Sequence, residues 1–174
     1  MNLLKEFVNS GKAILGIRTA SHAFNANQVV PNSGGGVATA KGKVSEYLDQ
    51  WPEFDKDVIG GNYKGHYPPL KVGIVFSVVP GMETHPILRG VSPDGFIGSV
   101  APINSLYQNR SLSSQNVQVL ILGSIPGQPS EPVLWINHLA KGKVVYTSMG
   151  HWEDWKMKEF QRIMDNSVDY LIDL

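Results

Sequence analysis

Apolar positions along the chain fall into two kinds of pattern, one helical and one extended. Leu3, Leu4, Phe7 and Val8 share one face of a helix over residues 2–9, and Gly11 fits a helix C-terminal stop. The run KAILGI at 12–17 predicts a short buried strand. Residues 25–43 are polar and glycine-rich, with Gly34, Gly35 and Gly36 in a row, and predict a surface loop. Residues 44–51 predict a short helix ended by Pro52. Further strands are expected at 71–79 (KVGIVFSVV), 117–125 (VQVLILGSI), 132–137 (PVLWIN) and 143–148 (KVVYTS). The last two flank a turn at Lys141 and Gly142. From Trp152 onward, Trp155, Phe160, Ile163, Met164, Val168, Leu171 and Ile172 follow the spacing of an amphipathic helix, which puts Trp155 on its core stripe. Strands alternating with helices predict an α/β sheet covered on both faces. No internal repeat and no long linker divides the chain, so residues 1–174 read as one domain.

Composition narrows the function classes. With 42% hydrophobic residues, the 174-residue chain has enough apolar material for a core. Lys+Arg and Asp+Glu both number 15, so no net charge favours nucleic acid or an anionic membrane as partner. No segment approaches the roughly 20 apolar residues that span a bilayer. The opening MNLLKEFVNSGKAILGI lacks the layout of a signal peptide. Cysteine is absent, which excludes disulfides, thiolate zinc sites and a cysteine nucleophile. Gly60-Gly61 and Gly34–Gly36 lack the spacings of a dinucleotide fingerprint or a P-loop.

Four stretches carry more specific information: GIRTASHAF at 16–24; WPEF at 51–54 with GGNYKGH at 60–66; HPILRG at 85–90 with SLY at 105–107; and GKVVYTSMGH at 142–151. In order and spacing they resemble the trehalose-utilisation (ThuA-like) family of the class I glutamine amidotransferase-like superfamily, across nearly the whole chain. The resemblance implies a flavodoxin-like, three-layer α/β sandwich. Members usually begin with a strand and one or two further β/α units, so it also implies a domain lacking those N-terminal units. The sheet edge left unpaired would favour pairing with another chain, as in a homo-oligomer. Many relatives read Asp-Glu-Leu-Tyr where this chain has Asn104-Ser105-Leu106-Tyr107, so no carboxylate role carries over there.

In amidotransferases of this fold a strand-to-helix turn presents the nucleophilic cysteine, and a His-x-Glu supplies base and orienter. By resemblance Arg18 stands near the cysteine position, and His151-Trp152-Glu153 matches the His-x-Glu. Without the thiol, glutamine hydrolysis is not expected. Thr19 and Ser21 are the hydroxyls nearest that turn. His22, His66 and His151 each follow an expected strand end, where open α/β sheets form their ligand crevice. Three imidazoles there suit proton transfer or a metal; the plainer alternative for each is a helix cap or a bond to a backbone carbonyl. No His-x-x-x-His pair supports a metal, and none is assigned as cofactor. His85 precedes Pro86, where a capping role competes with a ligand role, and Arg89 is an anion-binding candidate or a solvated side chain. Tyr63, Tyr107, Trp51 and Trp152 offer aromatic faces to a sugar. The expected site therefore has His151, Glu153 and His22 as catalytic groups and Arg18, Tyr63, His66 and Tyr107 as substrate contacts. Its partner would be a small-molecule carbohydrate, a sugar or keto-sugar. A non-catalytic sugar-binding module and a metal-dependent hydrolase are the alternatives.

Overall fold

The computed structural model describes residues 2–25, 37–38, 44–45, 51–68, 73–98 and 105–172. Two α-helices, α1 (Asn2–Asn9) and α2 (Lys158–Ile172), enclose eight strands between them in sequence. These are β1 (Ile14–Ile17), β2 (Val37–Ala38), β3 (Val44–Ser45), β4 (Val75–Val78), β5 (Phe96–Ile97), β6 (Val117–Ser124), β7 (Glu131–His138) and β8 (Lys143–Thr147). Six of them form one sheet in the order β1-β8-β7-β6-β4-β5. Only β1 and β8 run parallel, pairing Ile14 with Val144 through Ile17 with Thr147. The β4–β5, β4–β6, β6–β7 and β7–β8 pairs are antiparallel. The sheet is thus mixed, with hairpin connections where strict strand–helix alternation would require crossovers.

Both faces are covered, because side chains on a strand alternate sides. On β8, Val145 faces the cluster that contains Phe160, Ile163, Met164 and Leu171 of α2, together with Ile87 and Leu88. Its neighbours Val144 and Tyr146 face the opposite cluster, with Val8 of α1, Phe54, Val58, Ile59 and Trp135. Every position of β7 from Glu131 to Asn137 is buried. That explains why PVLWIN reads as an unbroken apolar run rather than an alternating one.

The helix expected at 44–51 and the loop expected at 25–43 need correction. Residues 44–45, expected to open a helix, pair antiparallel with residues 37–38 as β2–β3. A β-branched valine at each end of the hairpin suits extended backbone better than a helix. Residues 46–50 of that expected helix, and 26–36 and 39–43 of the expected loop, lie outside the described residues. The strand expected at 71–79 is described from residue 73, with β4 itself at Val75–Val78.

The last helix starts later than its apolar stripe suggests. Residues 154–156 form a short 3-10 turn and Met157 is extended at φ −86°, ψ 127°, so α2 begins only at Lys158. Asp154 sets this turn, its Oδ2 accepting the backbone N–H groups of Gly150 at 2.8 Å and His151 at 2.9 Å. Outside the helix, Trp155 is 46% exposed rather than core, its ring meeting Phe160 edge-on.

Candidate functional site

The chain leaves β1 through a strained corner. Arg18 follows the strand directly and has φ +46°, a left-handed conformation that costs a side-chain-bearing residue about 1 kcal/mol or more. The corner is over-determined. Fully buried Tyr146 of β8 donates its hydroxyl to the Arg18 carbonyl at 2.7 Å. Burial pushes that phenol well above its usual range, so it remains a donor. On the other side Gly150, at φ +111°, packs so closely that a Cβ there would lie 2.6 Å from Ile17 Cγ2. This sharp, tied turn presents Arg18.

A second segment approaches from the 55–59 turn. Its terminal carbonyls are held by β7: Trp135 Nε1 donates to Ile59 O at 2.8 Å, and Asn137 Nδ2 to Val58 O at 2.9 Å. Gly60 then turns at φ +80°, where a Cβ would sit 2.7 Å from the side chains of Asn137 and Val117. Only glycine satisfies both demands. The chain beyond it pairs with residues 105–108, through Tyr67 N to Leu106 O at 2.9 Å, Gln108 N to Gly65 O at 2.9 Å, and the His66–Tyr107 bridge.

Side chains from these three segments meet. The His22 and Tyr63 ring centroids are 4.6 Å apart, and Tyr63 meets Tyr107 edge-on, also at 4.6 Å. The Arg18 guanidinium lies over Tyr107 at 4.7 Å, and its Nη1 donates to Ser148 O at 3.4 Å. Tyr63 Oη and His66 Nδ1 are 2.7 Å apart. Burial, and then the neighbouring Tyr107, raise the Tyr63 phenol, against the opposing charge of Arg18. Tyr63 therefore keeps its proton, and its hydroxyl is hydrogen-bonded to His66 Nδ1. Burial lowers His22, so this half-buried imidazole is neutral near pH 7 and able to accept a proton. Ser21 Oγ lies 3.4 Å from its Nδ1.

Arg18, His22, Tyr63, His66 and Tyr107 thus form one contact series. His151 and Glu153 stand on the adjoining turn after β8, whose Ser148 and Gly150 touch Ile17 and Arg18. Among the described residues no hydrogen bond or ring contact joins His151 to His22 or His66. Its Nδ1 faces the Glu153 backbone N–H at 3.4 Å, and its ring meets Trp152 at 5.6 Å. The Glu153 carboxylate accepts from Lys156 Nζ at 3.0 Å instead of from the imidazole. His85 caps the 86–88 turn, its Nδ1 accepting from Ile87 N at 3.2 Å, and Arg89 lies 3.8 Å from Asp169. Among the described residues no group of three His, Cys, Asp or Glu could hold a metal.

Sequence reasoning missed the groups that build this arrangement. Tyr146, Asp154 and Glu131 were each assigned no role. Glu131 had a visible signal, an acid opening the apolar run EPVLWIN. It is 2% exposed and accepts from Tyr67 Oη and from the Asn109 and Arg110 N–H groups, each at 2.9 Å, and from Arg110 Nε at 3.4 Å. It anchors the segment that carries Tyr107. The crevice between Tyr107 and Ser148 measures about 10 Å³, room for one water. The roomier depression, about 350 Å³ beside Val8, Asp57 and Lys141, involves none of these residues.

A family model described as ThuA, trehalose utilisation, matches residues 1–171. Among solved structures, a ThuA-like protein from Bacteroides uniformis ATCC 8492 superposes with a TM-score of 0.65 at 19% identity. The match covers 98% of this chain and 62% of that one, so the chain spans less than two thirds of its neighbour's length. No curated protein matches.

Proposed function

We propose, from the premise that this chain belongs to the ThuA family of trehalose utilisation, that it is a carbohydrate-directed protein acting on a sugar or keto-sugar. The observation that carries this reading is the single contact series Arg18–Tyr107–Tyr63–His22, with His66 on the Tyr63 hydroxyl. It joins one permanent cation, two phenols and two imidazoles within reach of a ligand of sugar size. His22, neutral and partly desolvated, is suited to take a proton from a sugar hydroxyl or from the carbon beside a keto group. His66 is positioned by its hydrogen bond to the Tyr63 hydroxyl. His151 stands on the neighbouring turn, where a ligand lying along Arg18 and Ser148 would approach it. Without a cysteine the site is not a glutamine amidotransferase.

A second reading, a sugar-binding module without catalysis, has one observation in its favour. The expected base–orienter pair is not formed, because Glu153 is engaged by Lys156 and touches His151 only through its backbone. A screen of disaccharides and their keto derivatives for turnover, with binding followed by calorimetry, separates the two. Turnover lost in His22→Ala supports the enzyme. Turnover unchanged in both His22→Ala and His151→Ala removes the proton-transfer assignments, and binding without turnover leaves the module.

A further inference from the structure

Each arginine of the chain has found a different settlement. Arg110 pairs with Glu131 at 3.4 Å and Arg89 with Asp169 at 3.8 Å, while exposed Arg162 donates to the Gly90 carbonyl. Arg18 is half-buried, yet among the described residues it meets no carboxylate. Its hydrogen bond is the long one to Ser148 O, and its plane rests on Tyr107. A guanidinium carries five N–H donors in a planar fork, so among the described residues most of those of Arg18 have no acceptor. The acids on the neighbouring segments are committed elsewhere. Asp154 accepts the Gly150 and His151 N–H groups, Glu153 accepts from Lys156, and Glu131 is ringed by donors. The Arg18 charge is felt at Tyr63 and Tyr146, whose phenols it pulls down against burial. Neutral His22 adds no counter-charge.

We infer that the ligand of this site brings the missing anion: a sugar acid whose carboxylate is gripped by the Arg18 fork, with its hydroxyls toward Tyr63 and His66. This rests on the carbohydrate reading above and narrows it. Three features favour a carboxylate over a phosphate. Arg18 is the one permanent cation in the series, the flanking His22 is neutral, and a single planar fork matches one carboxylate in bidentate fashion. The tied, left-handed corner explains how the fork is held. Tyr146 and Gly150 fix the backbone of Arg18 and Tyr107 supports its side chain, so little conformational freedom is lost on binding.

The test is titration calorimetry with neutral mono- and disaccharides, each beside its uronic acid and its phosphate ester; glucose, glucuronate and glucose 6-phosphate are the first set. The uronate is expected to bind roughly tenfold or more tightly than the neutral sugar at low salt, as one charge-assisted fork would give. That advantage should shrink as ionic strength rises. Arg18→Gln should abolish the preference and Arg18→Lys, which keeps the charge but not the fork, should retain part of it. Thermal melts of both variants verify that they fold. Neutral sugars binding as tightly as their acids, or a preference that survives Arg18→Gln, would overturn the inference while leaving the carbohydrate reading intact. Tighter binding of the phosphate ester overturns the choice of carboxylate. Absence of binding by every sugar in the panel overturns the carbohydrate reading, and this inference with it.

Discussion

Glu131 and Asp55 are both buried carboxylates, and they are opposites. Glu131 opens β7 and has donors around both oxygens, two of them backbone N–H groups of residues 109 and 110. Asp55 opens the 55–59 turn at 0% exposure, and among the described residues neither of its carboxylate oxygens has a hydrogen-bond partner. The N–H groups of Asp55 and Lys56 lie near enough to favour its charge without reaching it in hydrogen-bonding geometry. Burial outweighs them and pushes its carboxyl above the usual range. The two acids sit on the two sides of the molecule that meet at the His66–Tyr107 bridge. One flank of the candidate site is therefore anchored by a saturated polar network, and the other carries an unsatisfied group. A saturated network rigidifies, whereas an orphaned buried acid costs stability unless it is protonated. The contrast identifies the 105–110 side as the firm wall of the site, while the 55–59 side, tied to β7 through its Val58 and Ile59 carbonyls, carries a buried acid whose cost depends on pH.

The largest effect that would break this contrast is the loss of Glu131. Glu131→Ala strands Tyr67, two backbone donors and Arg110, and is expected to lower unfolding free energy by about 3–5 kcal/mol. Urea denaturation reads this directly. A loss under about 1 kcal/mol would mean that water replaces the carboxylate and that the wall is not firm.

Asp55→Asn tests the opposite flank with the opposite sign. Because the folded chain holds the Asp55 proton more tightly than the unfolded chain, wild-type stability falls as pH rises from the ordinary carboxylate range through Asp55's raised one. The Asn variant lacks that slope and should be the more stable protein at neutral pH. Thermal melts from pH 4 to 8 check it, and a less stable variant at pH 7 would show that Asp55 has a partner when ionised.

The smallest effect is expected at His22, where the linkage runs the other way. Its lowered value means that the unfolded chain takes the proton more readily. Stability is therefore complete above the ordinary imidazole range, about 6.5, and is lost as pH falls toward His22's own value. His22→Gln should flatten that acid-side decline without altering stability at pH 8, and an unchanged slope would assign the titration to another group.

How legible the molecule was follows from where the information lies. β6, β7 and β8 could be read from the chain because a buried strand needs an apolar run and nothing else. The pairing of β7 with β8 around the Lys141-Gly142 turn was legible as well, but the rest of the sheet order was not, since pairing depends on which runs meet after the chain has collapsed. The late start of α2 was hidden for a similar reason: the stripe from Trp152 is real, but Asp154 diverts two backbone N–H groups and delays the helix by a turn. Arg18, His22, Tyr63, His66 and Tyr107 stood out through motif resemblance, and their contacts through Tyr63 could not be seen before folding. Glu131 and Asp55 went unmarked, because an acid's burial and hydrogen bonding are properties of its surroundings.

The parallel pairing of β1 with β8 has a consequence in time. Ile14 finds Val144 and Ile17 finds Thr147, so this ladder joins residues 130 positions apart in the chain. Closing so long a loop is entropically costly before any contact rewards it, and such non-local contacts slow folding. The β6–β7–β8 hairpins need only short closures and can form first. β1 then docks on a finished edge, and only that docking gives Tyr146 the Arg18 carbonyl to hold. The corner that presents Arg18 is accordingly a late product of folding. A chain emerging from the ribosome would carry every residue of the candidate site's contact series well before it had the site.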